Sequence, residues 1–410
     1  MSYLKKSFWG LSWTAALRGI TRLAGIGRIA ILARILTPEQ FGAFGIAAMA
    51  LGLLEIMTET GINVVLLQEK GDYRAYLNSA WVVSIARGLL ISILIAALAP
   101  AISQFFSSPD SLSLLYLVAL VPTIRGFINP ACIRFMKELK FDREFGYRSV
   151  ILITEISVSV VAALITHSAV SFAWAMLASA VVEVVSSWII FSPRPRFVVD
   201  WIRVKHVLNL GKWVTGYGVF DYLYSQGDNI AIGRILGEGS LGIYRTAYSF
   251  STLPVTEISQ IYYTVMFPVF SEMRSDLARL RRAAIRSAAV VASCMVGAGL
   301  LVWLFADPIV RVLLGSQWLS AIAVIKVLAL TGIVRGLSYV FNPLFVAMEK
   351  QKYVTLVIFL SMAGLLITVV PFIQRFGVIG AAYAAMVGSL VAILPSVYLA
   401  HRLLTTPYEK

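Results

Sequence analysis

The sequence has little charge and few side chains suited to catalysis. Charged residues make up 14% of its 410 positions and hydrophobic ones 59%, whereas about a quarter of an average soluble domain is charged. Too little polar surface remains for a water-soluble body of this length, so the composition is that of an integral membrane protein. Only two cysteines occur, Cys132 and Cys294, each in or beside an apolar run; they exclude a disulfide framework and any cysteine-based metal spacing. The three histidines, His167, His206 and His401, lie far apart. There is no catalytic triad, phosphate loop or zinc signature, so no metal, no cofactor and no enzyme activity are expected. Gly25, Gly27 and Ala30 spell G-x-G-x-x-A, but inside an apolar run with no strand before it, which rejects a dinucleotide site. The net charge of +14 is spread between apolar runs rather than gathered on one surface, unlike a nucleic-acid reader. The first apolar run, from about Phe8, is too long for a cleaved leader and reads as part of the mature chain.

What is abundant is apolar sequence in runs long enough to cross a bilayer as helices. Six fall near 8–36, 41–67, 79–106, 112–133, 149–166 and 169–191, and six more near 212–236, 241–270, 285–306, 319–347, 353–373 and 377–402. The fold class expected is an all-α polytopic membrane protein of about twelve transmembrane helices, with both termini on one side. Lys and Arg accumulate in cytoplasmic loops. With the N-terminus inside, most of them fall in cytoplasmic segments, and the external turns hold only Arg34, Arg234, Arg311 and Arg375.

The twelve helices read as two sets of six. "ARILTPEQFGAFGIAA" at 33–48 is echoed two hundred positions later by "GRILGEGSLGIYRTAY" at 233–248, with Arg34, Ile35, Leu36, Gly42 and Ala47 matching Arg234, Ile235, Leu236, Gly242 and Ala247, and Phe44 facing Tyr244. In the first copy Thr37 is a natural N-cap, Pro38 suits the first helical position, and Gln40 completes a capping box. A second pair, "IRGFINP" at 124–130 and "VRGLSYVFNP" at 334–343, aligns Arg125-Gly126 with Arg335-Gly336. An even number of crossings per copy gives the copies the same orientation, the parallel-repeat plan of several transporter folds. The organisation expected is an N-terminal six-helix lobe at 1–192, a basic cytoplasmic linker at 193–212 and a C-terminal six-helix lobe at 213–410. The linker has Phe197, Trp201, Val204 and Leu208 at helical spacing, so it reads either as a helix on the inner membrane surface or as an ordinary loop.

Charge within the membrane is costly and faces a cavity or a partner. Helix 1 carries Arg18, Arg22 and Arg28; helices 3, 4, 8 and 10 add Arg87, Arg125, Arg245 and Arg335. Guanidinium groups bind phosphate oxygens through paired donors and stay protonated, so these arginines read as a cationic cavity for an anionic substrate. The alternative is snorkelling, or pairing with acidic residues of neighbouring helices. Those acidic residues are Glu55 and Glu59, one turn apart; Asp221 and Asp228, two turns apart; and Glu155, Glu183 and Glu257. They either exchange protons in ion coupling or gating or neutralise the arginines. Pro122, Pro130, Pro254, Pro268 and Pro343 are expected to interrupt their helices.

"LARILTPEQFGAFGIAAM", "GDNIAIGRILGEGSLGIYRTAYSFSTLP", "MFPVFSEM" and "LLGSQW" resemble the polysaccharide transporters, Wzx-type oligosaccharide flippases of the multidrug, oligosaccharidyl-lipid and polysaccharide exporter superfamily. The resemblance runs over nearly the whole chain. It implies a MATE-like bundle of two lobes opening alternately to each side of the bacterial plasma membrane. The implied cargo is an undecaprenyl-diphosphate-linked oligosaccharide, carried to the outer leaflet for O-antigen, capsule or exopolysaccharide assembly. Implied partners are that lipid, the bilayer, a polysaccharide polymerase and glycosyltransferases, with the chain itself a monomer. Arg18, Arg22, Arg28, Arg87, Arg125 and Arg335 are then the substrate-binding set, and Glu55, Glu59, Asp221 and Asp228 the coupling or gating set. Two rival readings are a cation-coupled multidrug exporter, whose cationic substrates the arginines would repel, and a polysaccharide polymerase or ligase, which would need a larger external loop than any found here. The topology predicts that an alkaline phosphatase fusion after Pro109 is active and one after Arg194 is inactive. The reverse pattern would overturn the orientation.

Overall fold

A computed structural model describes the chain apart from residues 1–2, 60–73, 139, 199 and 406–410, and describes only the backbone of 3–18, 74–75, 202–217, 220 and 221. Among the described residues, long helices follow one another with short connections and no strand. They are α1 Tyr3–Ile35, α2 Pro38–Met57, α3 Arg74–Phe106, α4 Asp110–Gly126, α5 Phe141–Thr166 and α6 Val170–Ile190. A helical run Trp201–Met273 is broken at Gly237 into α7 (201–236) and α8 (238–273). α9 Leu277–Leu304, α10 Ala321–Tyr339, α11 Gln351–Phe376 and α12 Val378–Thr405 complete the set. Among the described residues, eight helices are long and apolar enough to cross a membrane, and α4 with the turns Pro130–Lys137 meets the same measure only as a pair bent by 73°, a broken span or a re-entrant loop. The chain is an all-helical, multi-span membrane protein. The charged α1 and the run Trp201–Met273 lie outside that set.

The chain divides into two compact units, Met1–Gln226 and Gly227–Lys410. The division falls inside α7. Before it, the Tyr222 hydroxyl donates to the Met49 carbonyl of α2 at 2.5 Å; after it, Gly227 approaches Leu365 and Leu366 of α11. The linker expected at 193–212 becomes helical from Trp201 onward, and the side chains of Val204 and Leu208 lie outside the described residues.

Within the first unit α3 packs on α4, α5 on α6, α1 on α5, and α2 on α4; within the second α11 packs on α12, α10 on α12, and α9 on α10. In lipid there is no water to drive apolar helices together, so close approach and interhelical hydrogen bonds carry the packing. The buried core of the first unit is accordingly rich in small residues, with Ala43, Ala47, Ala99, Ala119 and Ala173 around Ile91, Ile95 and Leu114. Large residues such as Ile165, Ile189, Ile367 and Leu394 point outward, each at least 75% exposed. Hydroxyls bridge the helices: Thr123 to Ser92 at 2.7 Å between α4 and α3, and Ser338 to the Ser389 carbonyl at 2.7 Å between α10 and α12.

The two echoed turns differ in structure. Thr37 caps α2 in a complete capping box with Gln40 and with Pro38 at its start, and the Gln40 amide also donates to the His167 carbonyl at the end of α5, 2.9 Å away. Two hundred positions on, Gly237 breaks the helix at φ 83°, with open space where a side chain would stand. The left-handed conformation, rather than crowding, selects glycine there. The expected spans 112–133 and 319–347 are each broken. Asn129-Pro130 opens a short 3-10 turn, with the Asn129 side chain accepting from the Ala131 amide, and Asn342-Pro343 opens the short helix Asn342–Ala347. Pro130 and Pro343 thus interrupt their helices as expected, each standing in the first turn of the next short element, where its missing amide is not needed. Pro122, Pro254 and Pro268 instead lie inside continuous helical runs. The far end of the span expected at 41–67 lies outside the described residues, α2 closing at Thr58.

α3 and α4 touch backbone to backbone. A Cβ on Gly88 would stand 2.3 Å from the Pro122 carbonyl oxygen, and one on Gly126 would stand 3.0 Å from the Ile85 Cα. Neither neighbour can swing aside. Gly88→Ala is expected to destabilise the protein by about 1–3 kcal/mol, read as a lowered Tm in detergent. Gly297→Ala, where a Cβ meets nothing within 4 Å, should be neutral or stabilising. Equal effects of the two would reject close helix approach as the constraint.

Candidate functional site

In the first unit the membrane-embedded charges gather where α2 ends. The last carbonyls of a helix lack intrahelical donors and carry partial negative charge. Arg87 of α3 supplies donors: its Nη2 lies 2.6 Å from the Glu55 carbonyl and 3.2 Å from Glu59 Oε2, and its Nε lies 3.3 Å from Thr58 Oγ1. Arg87 therefore holds down the end of α2 as well as pairing with Glu59. The Glu55 carboxylate lies within electrostatic reach of Arg125 and Arg87.

Arg125 of α4 is held differently. Its Nε is buried and donates no hydrogen bond, standing 3.5 Å from Glu183 Oε2 while the side chain remains 36% exposed. Glu183 of α6 is shared, because Arg148 of α5 reaches its other oxygen at 3.3 Å and also pairs with Glu144 at 2.9 Å. One carboxylate between two guanidiniums leaves Arg125 loosely satisfied and able to accept a stronger anion.

Arg28 of α1 pairs with Glu155 of α5 and lies over the Phe172 ring, 5.6 Å from its centroid. Arg22 is exposed on the same helix. The side chains of Arg18 and Asp221 lie outside the described residues. Of the arginines expected to bind substrate, Arg87 and Arg125 are brought to one group of charges, and Arg28 stands in a separate ion pair. Each of these three is matched to a carboxylate.

In the second unit Asp228 is buried on α7. Its Oδ2 accepts from the Tyr244 hydroxyl of α8 at 2.7 Å, and its Oδ1 accepts from the Asn229 amide at 2.7 Å. Arg335 of α10 donates to the Tyr248 hydroxyl at 2.6 Å, one helical turn beyond Tyr244, and acts electrostatically on Asp228. Arg335 and Asp228 thus share one network joined by two tyrosines. Neither tyrosine is evident as a site residue from the sequence, though Tyr244 stands where the first copy has Phe44. There Phe44 stacks on Phe172 at 4.5 Å beneath Arg28. Arg28 and Asp228 are themselves two hundred positions apart, the offset of the two echoed stretches.

One overlooked signal would have pointed to the arginines. Arg18-Gly19, Arg87-Gly88, Arg125-Gly126 and Arg335-Gly336 all place a glycine after the charge. In the last three that glycine meets a neighbouring helix closely, which draws the arginine beside it into the interface rather than out to lipid. Tyr244→Phe, which leaves buried Asp228 short of a donor, is expected to cost about 1–3 kcal/mol, read as a loss of Tm. Adding Asp228→Leu should recover most of it, because a matched pair is then replaced by apolar groups. Simple addition of the two losses would reject the coupling.

Comparison with known proteins gives the family. A model described as "Polysaccharide biosynthesis protein" matches residues 31–323. The lipopolysaccharide biosynthesis protein WzxC of Escherichia coli is 23% identical over 352 residues, 85% of this chain and 72% of its own length. The succinoglycan biosynthesis transport protein ExoT of Rhizobium meliloti is 25% identical over 307 residues, 74% of this chain and 61% of its own. Among solved structures, the lipid II flippase MurJ in an inward closed conformation matches at a TM-score of 0.76 and 15% identity, covering 94% of this chain and 87% of that one. An inward-facing MATE family transporter of the MOP superfamily matches at 0.72 and 14%, covering 93% and 94%. At such identities the likeness is one of fold. The chain belongs to the polysaccharide biosynthesis protein family, a multi-span membrane protein with the fold shared by MurJ and the MATE transporters.

Proposed function

We propose that the protein is a flippase that carries a polyprenyl-diphosphate-linked oligosaccharide from the cytoplasmic to the outer leaflet of the bacterial plasma membrane. On this reading two six-helix lobes alternate access, both termini are cytoplasmic, and the cargo passes to a polymerase for surface polysaccharide assembly. The family match, the likeness to the transport protein ExoT and the fold shared with a lipid II flippase support it. The observation that carries it is Arg125, a membrane-embedded guanidinium with a buried Nε that makes no hydrogen bond and only a 3.5 Å contact with a shared carboxylate. A diphosphate offers paired oxygens with more charge than half of Glu183 does, so it wins Arg125 by bidentate hydrogen bonding.

Arg18, Arg22, Arg28, Arg87 and Arg335 complete the substrate-binding set, and the polyprenyl tail stays in lipid. Glu55, Glu59, Asp221 and Asp228 serve coupling or gating: when cargo leaves, the carboxylates take back the guanidiniums, so no charge is stranded. This return of partners keeps the release step from costing a bare buried cation.

The test is leaflet accessibility of a labelled polyprenyl-diphosphate oligosaccharide in vesicles holding the purified protein, with and without a proton gradient. Protein-dependent transfer is expected. Arg125→Ala should slow it about tenfold or more, the loss of one or two charged hydrogen bonds, with Arg125→Lys intermediate. No transfer by folded protein would overturn the reading.

A further inference from the structure

The second unit contains a cavity of about 350 Å³ between α8, α10 and the Asn342-Pro343 turn, a volume in the range of small-molecule sites. Its α8 wall is a polar stripe at helical spacing: Tyr248, Thr252, Thr256, Ser259 and Tyr263. A polar stripe on a helix in a membrane protein needs partners. The hydroxyls of Thr252, Thr256 and Ser259 each donate to a carbonyl of their own helix, at 2.9, 2.9 and 2.8 Å. That spends their only hydrogen and leaves oxygen lone pairs facing the cavity as acceptors. Asn342 also lines the cavity, and its Oδ1 is buried with no hydrogen-bond donor, an acceptor that a ligand reaches once the side chain turns.

Beside groups able to donate on Gln260, Tyr263 and Tyr339, the wall therefore offers hydroxyl acceptors that take O–H or N–H groups from a ligand. A phosphate brings none. Among the described lining residues the one cation is Arg335, which already donates to Tyr248, so the cavity offers a single guanidinium. Val255, Met295 and Val340 with the tyrosine rings supply the apolar face, and Gly336 keeps the α10 floor low, since a Cβ there would meet Met295 and Val255 at 2.8 Å. Dense hydroxyls on one face with C–H groups on the other describe a sugar ring.

We infer that this cavity, with Arg335 in its lining, is a subsite for a glycosyl unit of the cargo, while Arg125 holds its diphosphate. The inference rests on the flippase reading above. It assigns Thr256, Ser259 and Asn342 as glycan acceptors, residues with no part in diphosphate binding. The cavity then selects cargo that bears sugar over the bare carrier lipid.

Native mass spectrometry of the purified full-length protein would compare undecaprenyl diphosphate with undecaprenyl-diphosphate oligosaccharide extracted from the source cells. The wild type should bind the glycosylated lipid more tightly. Ser259→Ala, Thr256→Val and Asn342→Ala should each weaken that lipid about threefold to tenfold, one hydrogen bond's worth, and leave the bare lipid unchanged. Arg125→Ala should weaken both lipids. If the folded variants keep the wild-type ratio, or lose both lipids equally, the subsite is wrong while the transport reading stands. If the wild type binds neither lipid, the transport reading fails and takes this inference with it. Should Asn342→Ala not fold, the two hydroxyl variants decide, because their hydrogen bonds lie within one helix.

Discussion

A charge taken into the membrane must bring a partner, because neither lipid nor helix backbone can stand in for water. The charged groups described in both units follow this constraint. Arg28, Arg87 and Arg125 each meet a carboxylate from another helix, and Asp228 meets a tyrosine hydroxyl and an amide. Helix order and rotation follow from these pairings as much as from apolar packing. α4 turns Arg125 toward Glu183 of α6, and α3 turns Arg87 toward the exposed end of α2. Rotation of either helix by half a turn would place a guanidinium in lipid.

The pairs differ in how completely they satisfy their members. Arg87 has three acceptors, one of them a helix-terminal carbonyl, and is fixed in place. Arg125 shares one carboxylate with Arg148 and makes no hydrogen bond through its Nε. A transporter must both hold charge and exchange partners, and an unevenly satisfied network allows that: the tight pairs set the architecture while the loose one stays open to competition. Close helix contact keeps the arrangement stiff. Gly88 and Gly126 let α3 and α4 meet at the backbone, and hydroxyls such as Thr123 and Ser338 fasten neighbouring helices.

What the sequence foretold was local. The capping box at Thr37 and Gln40, the break at Asn129-Pro130 and its counterpart at Asn342-Pro343 depend on residues a few positions apart, and backbone chemistry decides them without reference to the rest of the chain. The run of apolar spans is legible for the same reason. Partner choice was not. Glu183 lies fifty-eight positions from Arg125 and thirty-five from Arg148, and only the rotations of three helices bring them together. The tyrosines of the second unit were hidden because aromatic residues in an apolar run look like packing until a carboxylate is found beside them. Prolines misled in the other direction: Pro122, Pro254 and Pro268 sit inside helices whose neighbours can accommodate the lost amide, so a proline alone did not mark a break.

Arg28 and Asp228, two hundred positions apart, carry opposite charges. Two identical six-helix chains assembled as a homodimer would carry the same side chain at both positions, because symmetry repeats every residue. A cation at one place and an anion at the other is open to a single polypeptide, in which each position is set separately. Each half of the chain therefore sets its own counter-group, a carboxylate for Arg28 and a phenol hydroxyl for Asp228.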